Sequence, residues 1–174
     1  MEDPEEWDAE HIKELIVQSD PNFYLVDARN PDDHWKVLWY NIEQSGRHCK
    51  VDILLPGPEH LDIPYIPDRD IYLTRLSQTP LVPLLTLILL KLKGWADHKV
   101  DHRIRMREKV EQDEEDIEHL LQIARRKGNQ LQCADEEHLW EDWFWEESNE
   151  RMNEYMDEWP ETIDDWSYVF ELDE

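Results

Sequence analysis

Residues 81–95 are apolar on nearly every side, and that run constrains the fold more than any other stretch. Pro80 and Pro83 stand at its start, where a helix tolerates proline because the first turn has unpaired N–H groups anyway. A helix apolar all round is a buried one, so it is expected to be the central helix of the domain. Lys91 and Lys93 fall near its C-terminal end, where positive charge suits the helix dipole. The longest apolar stretch, 80–90, is shorter than the roughly 20 residues a bilayer span needs, so no membrane association is expected.

The other elements follow from periodicity and punctuation. Residues 8–19 place Ile12, Leu15 and Ile16 on one helical face with Asp8 as N-cap, and Asp20-Pro21 closes the helix. Residues 23–28 read as a strand, 30–33 as a turn, and 34–42 as a second strand with apolar groups on both faces, hence central and covered on each side. Ser45-Gly46 turns into a third strand, and three strands joined by short turns are most simply an antiparallel meander. Residues 56–79 are proline-punctuated, with a further short strand expected at 71–73. After a polar link at 97–102, residues 103–127 form one long amphipathic helix with Val110, Ile117, Leu120, Leu121 and Ala124 as its apolar face and Gly128 as its C-cap.

Charge is the second strong constraint. The net charge is −25, and residues 129–174 alone hold 17 acidic side chains against Arg151. That sign repels nucleic acid phosphates, so no direct nucleic acid binding is expected. The same segment carries Trp140, Trp143, Phe144, Trp145 and Trp166. It is expected to be a helical tail that lays its tryptophans on the domain and leaves its acids in water, because disordered tails are poor in tryptophan. Cys49 and Cys133 stand far apart with no metal-like spacing, and the acidic start does not resemble a signal peptide, so an intracellular protein, cytoplasmic or nuclear, is expected.

The third strand carries Asp52. Val51, Ile53 and Leu55 alternate with Asp52 and Leu54, and Pro56-Gly57 stop the run. A carboxylate in mid-strand must face water, a base or a metal, and both a metal ligand and a solvated side chain satisfy that. Lys91 and Lys93 can reach a phosphate or simply complement the helix end. Lys109 and Asp113 can belong to a polar cluster or pair on the helix surface at i,i+4. His98 and His102, with Asp97 and Asp101, imitate metal-ligand spacing, but Lys99 follows the first histidine where a zinc-protease motif has glutamate, and a solvated link is expected.

Taken in order, several segments resemble a minimal nucleotidyltransferase of the abortive-infection-toxin type, especially a fungal branch of that superfamily. Asn22-Phe23-Tyr24-Leu25 and Lys36-Val37-Leu38-Trp39-Tyr40 look like the strand pair leading into the active-site sheet. The segment from Cys49 to Gly57 looks like the strand bearing the third catalytic carboxylate, Asp52. The run ending Leu92-Lys93-Gly94-Trp95 resembles the buried helix that ends in lysine, and Lys109 with Asp113 to Ile117 resembles the Lys and Asp-x-x-Asp-Ile/Leu motif of the next helix. Trp159-Pro160 and Trp166 resemble the closing segment.

The resemblance implies transfer of a nucleotidyl group from a nucleoside triphosphate to a hydroxyl on protein or RNA. Asp52 would be the catalytic and metal-binding carboxylate, Lys91, Lys93, Lys109 and Asp113 would serve the nucleotide, and magnesium would be the cofactor. The family's Gly-Ser or Gly-Gly turn and its leading Asp-x-Asp pair are absent, since Asp68-Arg69-Asp70 falls after Asp52 in chain order. A degenerate or truncated member is therefore expected, with catalysis undecided. The rival is a non-catalytic interaction module whose acidic tail binds a basic partner. In either case the expected fold is α/β (α+β): a small mixed sheet of three to four strands with C-terminal helices, organised as an α/β domain over 1–128 and an acidic, tryptophan-rich tail over 129–174 packed on it.

Overall fold

The computed structural model describes residues 8–29, 35–42, 46–58, 61–128 and 133–172, the side chains of 133 and 134 excepted. The turn expected at 30–33, Ser45 of the Ser45-Gly46 turn, and His34 and His60 lie outside the described residues. The chain is α+β and divides into two compact units, 1–61 and 62–174. The division falls inside the proline-punctuated stretch, and the tryptophans from Trp140 on share one core with the central helix.

In the first unit, helix α1 (Ala9–Ser19) begins at Asp8, whose carboxylate accepts the His11 N–H at 2.8 Å. Strands β1 (Phe23–Asp27), β2 (Lys36–Ile42) and β3 (Arg47–Val51) form an antiparallel meander with β2 in the middle. Leu25 and Val51 flank Leu38 in register, and Leu38 is fully enclosed. The covering expected on both faces of β2 is a correction: Val37, Trp39, Tyr40 and Ile42 are only half-buried and Trp35 is exposed. One short helix packed against β1 is too little material to cover a three-stranded sheet.

The second unit opens with a ribbon in which β4 (Tyr72–Leu73) pairs antiparallel with β5 (Pro80–Leu81). The fourth strand thus exists but does not join the meander. Hydroxyls hold its turn, with Ser77 Oγ 2.6 Å from both Thr74 and Thr79. Every described strand pairing is antiparallel, which replaces the mixed sheet with two antiparallel ones.

Helix α2 (Leu84–Val100) is the organising element. It starts after Pro83, its N-cap, and extends past Trp95 to Val100, so Asp97 and His98 stand on the helix and not in a link. Leu85, Ile88, Leu89, Leu92 and Trp95 are fully enclosed, each contributing about 1.5–3 kcal/mol of burial. The single helix expected over 103–127 is two: α3 (Ile104–Arg107) and α4 (Val110–Lys127). Between them the Lys109 N–H bonds the Met106 carbonyl at 3.0 Å, a tighter turn than the α-helix. Ile117, Leu121 and Ala124 of α4 pack on α2, and Gly128 ends the helix at φ +49°.

Short α5 (Cys133–Glu136), α6 (Asp142–Glu158) and α7 (Ile163–Phe170) complete the unit, with Pro160 starting a single 3-10 turn between the last two. Their rings form a continuous chain. Trp140 stacks on Trp145 at 5.2 Å, Phe170 lies 5.5 Å from Trp166, and Tyr155 meets Trp166 at 5.7 Å and Trp95 at 5.0 Å. One acid of this segment is not in water. The Glu136 carboxylate is buried at the start of α2, accepting the Leu85 N–H (3.1 Å), the Thr86 N–H (2.8 Å) and the Thr86 hydroxyl (2.9 Å). Thr86 Oγ1 in turn accepts the Trp140 indole N–H at 3.0 Å. Among the described residues no helix is long and apolar enough to cross a membrane.

Candidate functional site

Helices α2 and α4 bring together three of the side chains expected to serve chemistry. Lys91 Nζ lies 2.6 Å from Asp116 and 3.7 Å from Asp113, while Asp113 Oδ2 lies 2.5 Å from His98 Nδ1. Asp113 is buried and His98 mostly so. The hydrogen bond from Lys91 holds the Asp116 carboxyl below its ordinary range. A carboxylate on Nδ1 fixes the imidazole's orientation and leaves Nε2 as its remaining nitrogen, the arrangement of an oriented base. The same contacts also tie the last turns of α2 to α4.

The other expected residues stand apart from this cluster. Lys93 is nearly buried and held by Asp97 at 2.5 Å and Asp62 at 3.5 Å. Lys109 is exposed at the start of α4, and no ion pair joins it to Asp113 among the described residues, so the surface pairing expected at i,i+4 is replaced by the pairing of Asp113 with Lys91 and His98. The reason is geometric: Asp113 points into the α2–α4 contact, while Lys109 lies at the helix start.

Asp52 belongs to the first unit. The β2–β3 ladder stops at Leu38↔Val51, so Asp52 is the first residue beyond the strand and not a mid-strand group. The expected alternation persists, with Val51, Ile53 and Leu55 half-buried and Asp52 and Leu54 exposed. Its carboxylate is 65% exposed and 2.6 Å from Lys50 Nζ. Among the described residues no three His, Cys, Asp or Glu side chains converge as a metal would require. An exposed carboxylate occupied by a lysine does not fit magnesium, which takes several oxygens in octahedral array.

A different place in the second unit has the character of a binding site. Glu111, Glu114, Glu115 and Glu118 line one wall of a groove of about 360 Å³ along α4. Glu161 and Asp165 face them, and Tyr155 and Trp159 contribute its aromatic surface. Tyr155 is 97% buried (3% exposed) in ring contacts with Trp95 and Trp166, yet its hydroxyl makes no hydrogen bond among the described residues. Desolvation, reinforced by Glu114, Glu118, Glu161 and Glu158, pushes its ionisation well above the ordinary tyrosine range. Asp165 is paired with Arg125, and Glu114 accepts the Trp95 indole N–H at 3.2 Å. Glu111, Glu114, Glu115, Glu118 and Glu161 have no lysine or arginine partner among the described residues.

Sequence reasoning missed this groove, although half of its signal was present. Glutamates at 111, 114, 115 and 118 follow the i, i+3, i+4, i+7 spacing of a single helix face. The facing wall, 37 and more residues further along the chain, had no signal at all. Neither a family model, nor a curated protein, nor a solved structure matches the chain.

Proposed function

We propose that this protein is a non-catalytic interaction module that binds a basic partner through its carboxylate surface. One observation carries this: residues 62–174 hold 29 acidic side chains against 13 lysines and arginines, so the acids outnumber what those cations can pair. Lys91, Lys93, Lys99, Arg103, Arg125 and Arg151 each sit in an ion pair within the chain. Exposed Glu111, Glu115, Glu146, Glu150 and Glu161 have no lysine or arginine partner among the described residues. Such a surface attracts cationic segments and steers their approach. The test is calorimetric titration of the purified chain with a lysine- and arginine-rich peptide over a series of salt concentrations. Binding at about 50 mM salt that weakens steadily as screening grows is the expected result. No binding at low salt, or binding indifferent to salt, would reject the proposal.

A second reading has one observation in its favour. Lys91, on the helix that resembles the family's lysine-ending one, meets Asp113 and Asp116 of the Asp-x-x-Asp pattern beside His98, while that pattern's own lysine, Lys109, stands apart. Titration with ATP, GTP, CTP and UTP in excess magnesium, with Lys91→Ala run beside the native chain, tests it. Heat tighter than about 1 mM, roughly −4 kcal/mol, that weakens in the variant would favour nucleotide binding; no heat from a folded chain would remove it.

A further inference from the structure

We infer that the groove between α4 and the Tyr155–Asp165 wall is a receptor for an arginine side chain on a basic peptide. This rests on the interaction-module reading and deepens it by naming the site and the anchoring group. Three features of the groove select this occupant.

The first is charge that the fold leaves unanswered. Glu111 and Glu115, and Glu114 and Glu118, are like-charged neighbours one turn apart, a spacing that works against the helix. At some other carboxylates of this unit the fold supplies a cation, as Lys91 does for Asp116 and Lys99 for Glu154. Along this wall it supplies none among the described residues.

The second is an unused polar group. Tyr155 is buried among rings, lines the groove, and has an unpartnered hydroxyl. Burial, reinforced by the surrounding carboxylates, keeps it protonated, so it offers both an O–H donor and lone pairs to a group seated there. A cation's N–H can donate to that oxygen while it donates to a carboxylate.

The third is shape. Carboxylates that do not converge on a point do not suit a metal ion, and among the described residues no metal-holding group exists. They do suit a planar cation with several diverging N–H groups. A guanidinium takes carboxylates in pairs and lies flat on an accessible aromatic face, here the half-buried Trp159. An ammonium is a point charge and uses the same walls less fully.

The experiment uses the full chain and two acetylated, amidated hexapeptides, one alternating arginine with glycine and one alternating lysine with glycine. Glu114→Gln/Glu118→Gln removes two groove charges and keeps the acceptor that the Trp95 indole uses. Glu146→Gln/Glu150→Gln, on exposed positions of α6, removes the same charge elsewhere. The arginine peptide is expected to bind about fivefold more tightly than the lysine one. Its affinity should fall roughly tenfold in the groove variant and about twofold or less in the α6 variant. Tyr155→Phe should leave the melting temperature unchanged, since its hydroxyl bonds nothing in the free chain, yet weaken arginine-peptide binding severalfold. Equal losses in the groove and α6 variants would overturn the groove while leaving the acidic-surface reading intact. Binding of neither peptide by the native chain would overturn both.

Discussion

The Glu136 carboxylate is the contact whose removal the structure makes most quantitative. It lies buried at the start of α2, where it accepts two backbone N–H groups and the Thr86 hydroxyl within 3.1 Å. The first N–H groups of a helix have no intrahelical acceptor, and here Pro83, the N-cap, offers no side-chain acceptor. Glu136→Ala therefore strands the Leu85 and Thr86 N–H groups. At about 1–3 kcal/mol for each of the two buried donors left unsatisfied, and with about 0.5 kcal/mol or more from losing a negative charge at a helix N-terminus, the loss should be about 2.5–6.5 kcal/mol. Glu136→Gln should cost less, about 1–2 kcal/mol, because its amide oxygen can keep one donor while its NH2 confronts another.

Urea unfolding followed by tryptophan fluorescence measures both variants. The readout suits the site because Trp140 hangs from Thr86 Oγ1. Thr86→Val removes the hydroxyl that links Glu136 to the Trp140 indole, and a double-mutant cycle between Thr86→Val and Glu136→Gln should show coupling of about 0.5–3 kcal/mol. A cost below about 1 kcal/mol for Glu136→Ala would refute the argument, because the donors would then have to be satisfied by water and the end of α2 could not be sealed.

Three further outcomes follow from the same structure. Trp166→Ala, at a fully enclosed ring between Tyr155 and Phe170, should cost about 3–5 kcal/mol in denaturant unfolding. Asp116, held below the ordinary carboxyl range by Lys91, lends stability that is present above the unfolded-state value near 4 and lost as pH falls through the lower folded value; Asp116→Asn should therefore reduce stability at neutral pH and flatten the acid limb of a stability–pH curve. Tyr155, pushed upward by burial, lends stability that is present below about pH 10 and lost as pH rises towards its folded value; Tyr155→Phe should flatten the alkaline limb, and an unchanged limb would count against the burial of that phenol.

Much of the helical part was legible because periodicity and punctuation are local. Pro83, Gly128 and Pro160 mark boundaries that the structure keeps, and Ile117, Leu121 and Ala124 face the core as their spacing says. What failed was of two kinds. The break at Glu108 and Lys109 leaves no mark in a run of good helix formers, since it is imposed by where α4 must lie on α2. The pairing of a strand is equally invisible: 71–73 has strand character, but only the fold decides that β5 and not the meander receives it. Glu136 shows the hardest case. One acid among many in a charged segment is buried because a helix start 50 residues earlier in the chain needs an acceptor. Composition argued for placing it in water, and a contact of that sequence separation has no local trace.

Helix α4 divides its carboxylates between two settings. Its core arc runs through Val110, Ile117, Leu121 and Ala124, and at 3.6 residues per turn carboxylates fall on both borders of that arc. On one border Asp113 and Asp116 meet His98 and Lys91. On the other, Glu111, Glu114, Glu115 and Glu118 meet further acids and an unbonded phenol. Solubility asks only that charge face water, and would be served by placing these residues on the far side of the helix. Glu111, Glu115 and Glu118 are exposed, but half-buried Glu114 sits nearer the core border, and all four line the groove with Glu161 and Tyr155. Like charges one turn apart work against the helix, and in the groove reading a cation from outside the chain offsets them.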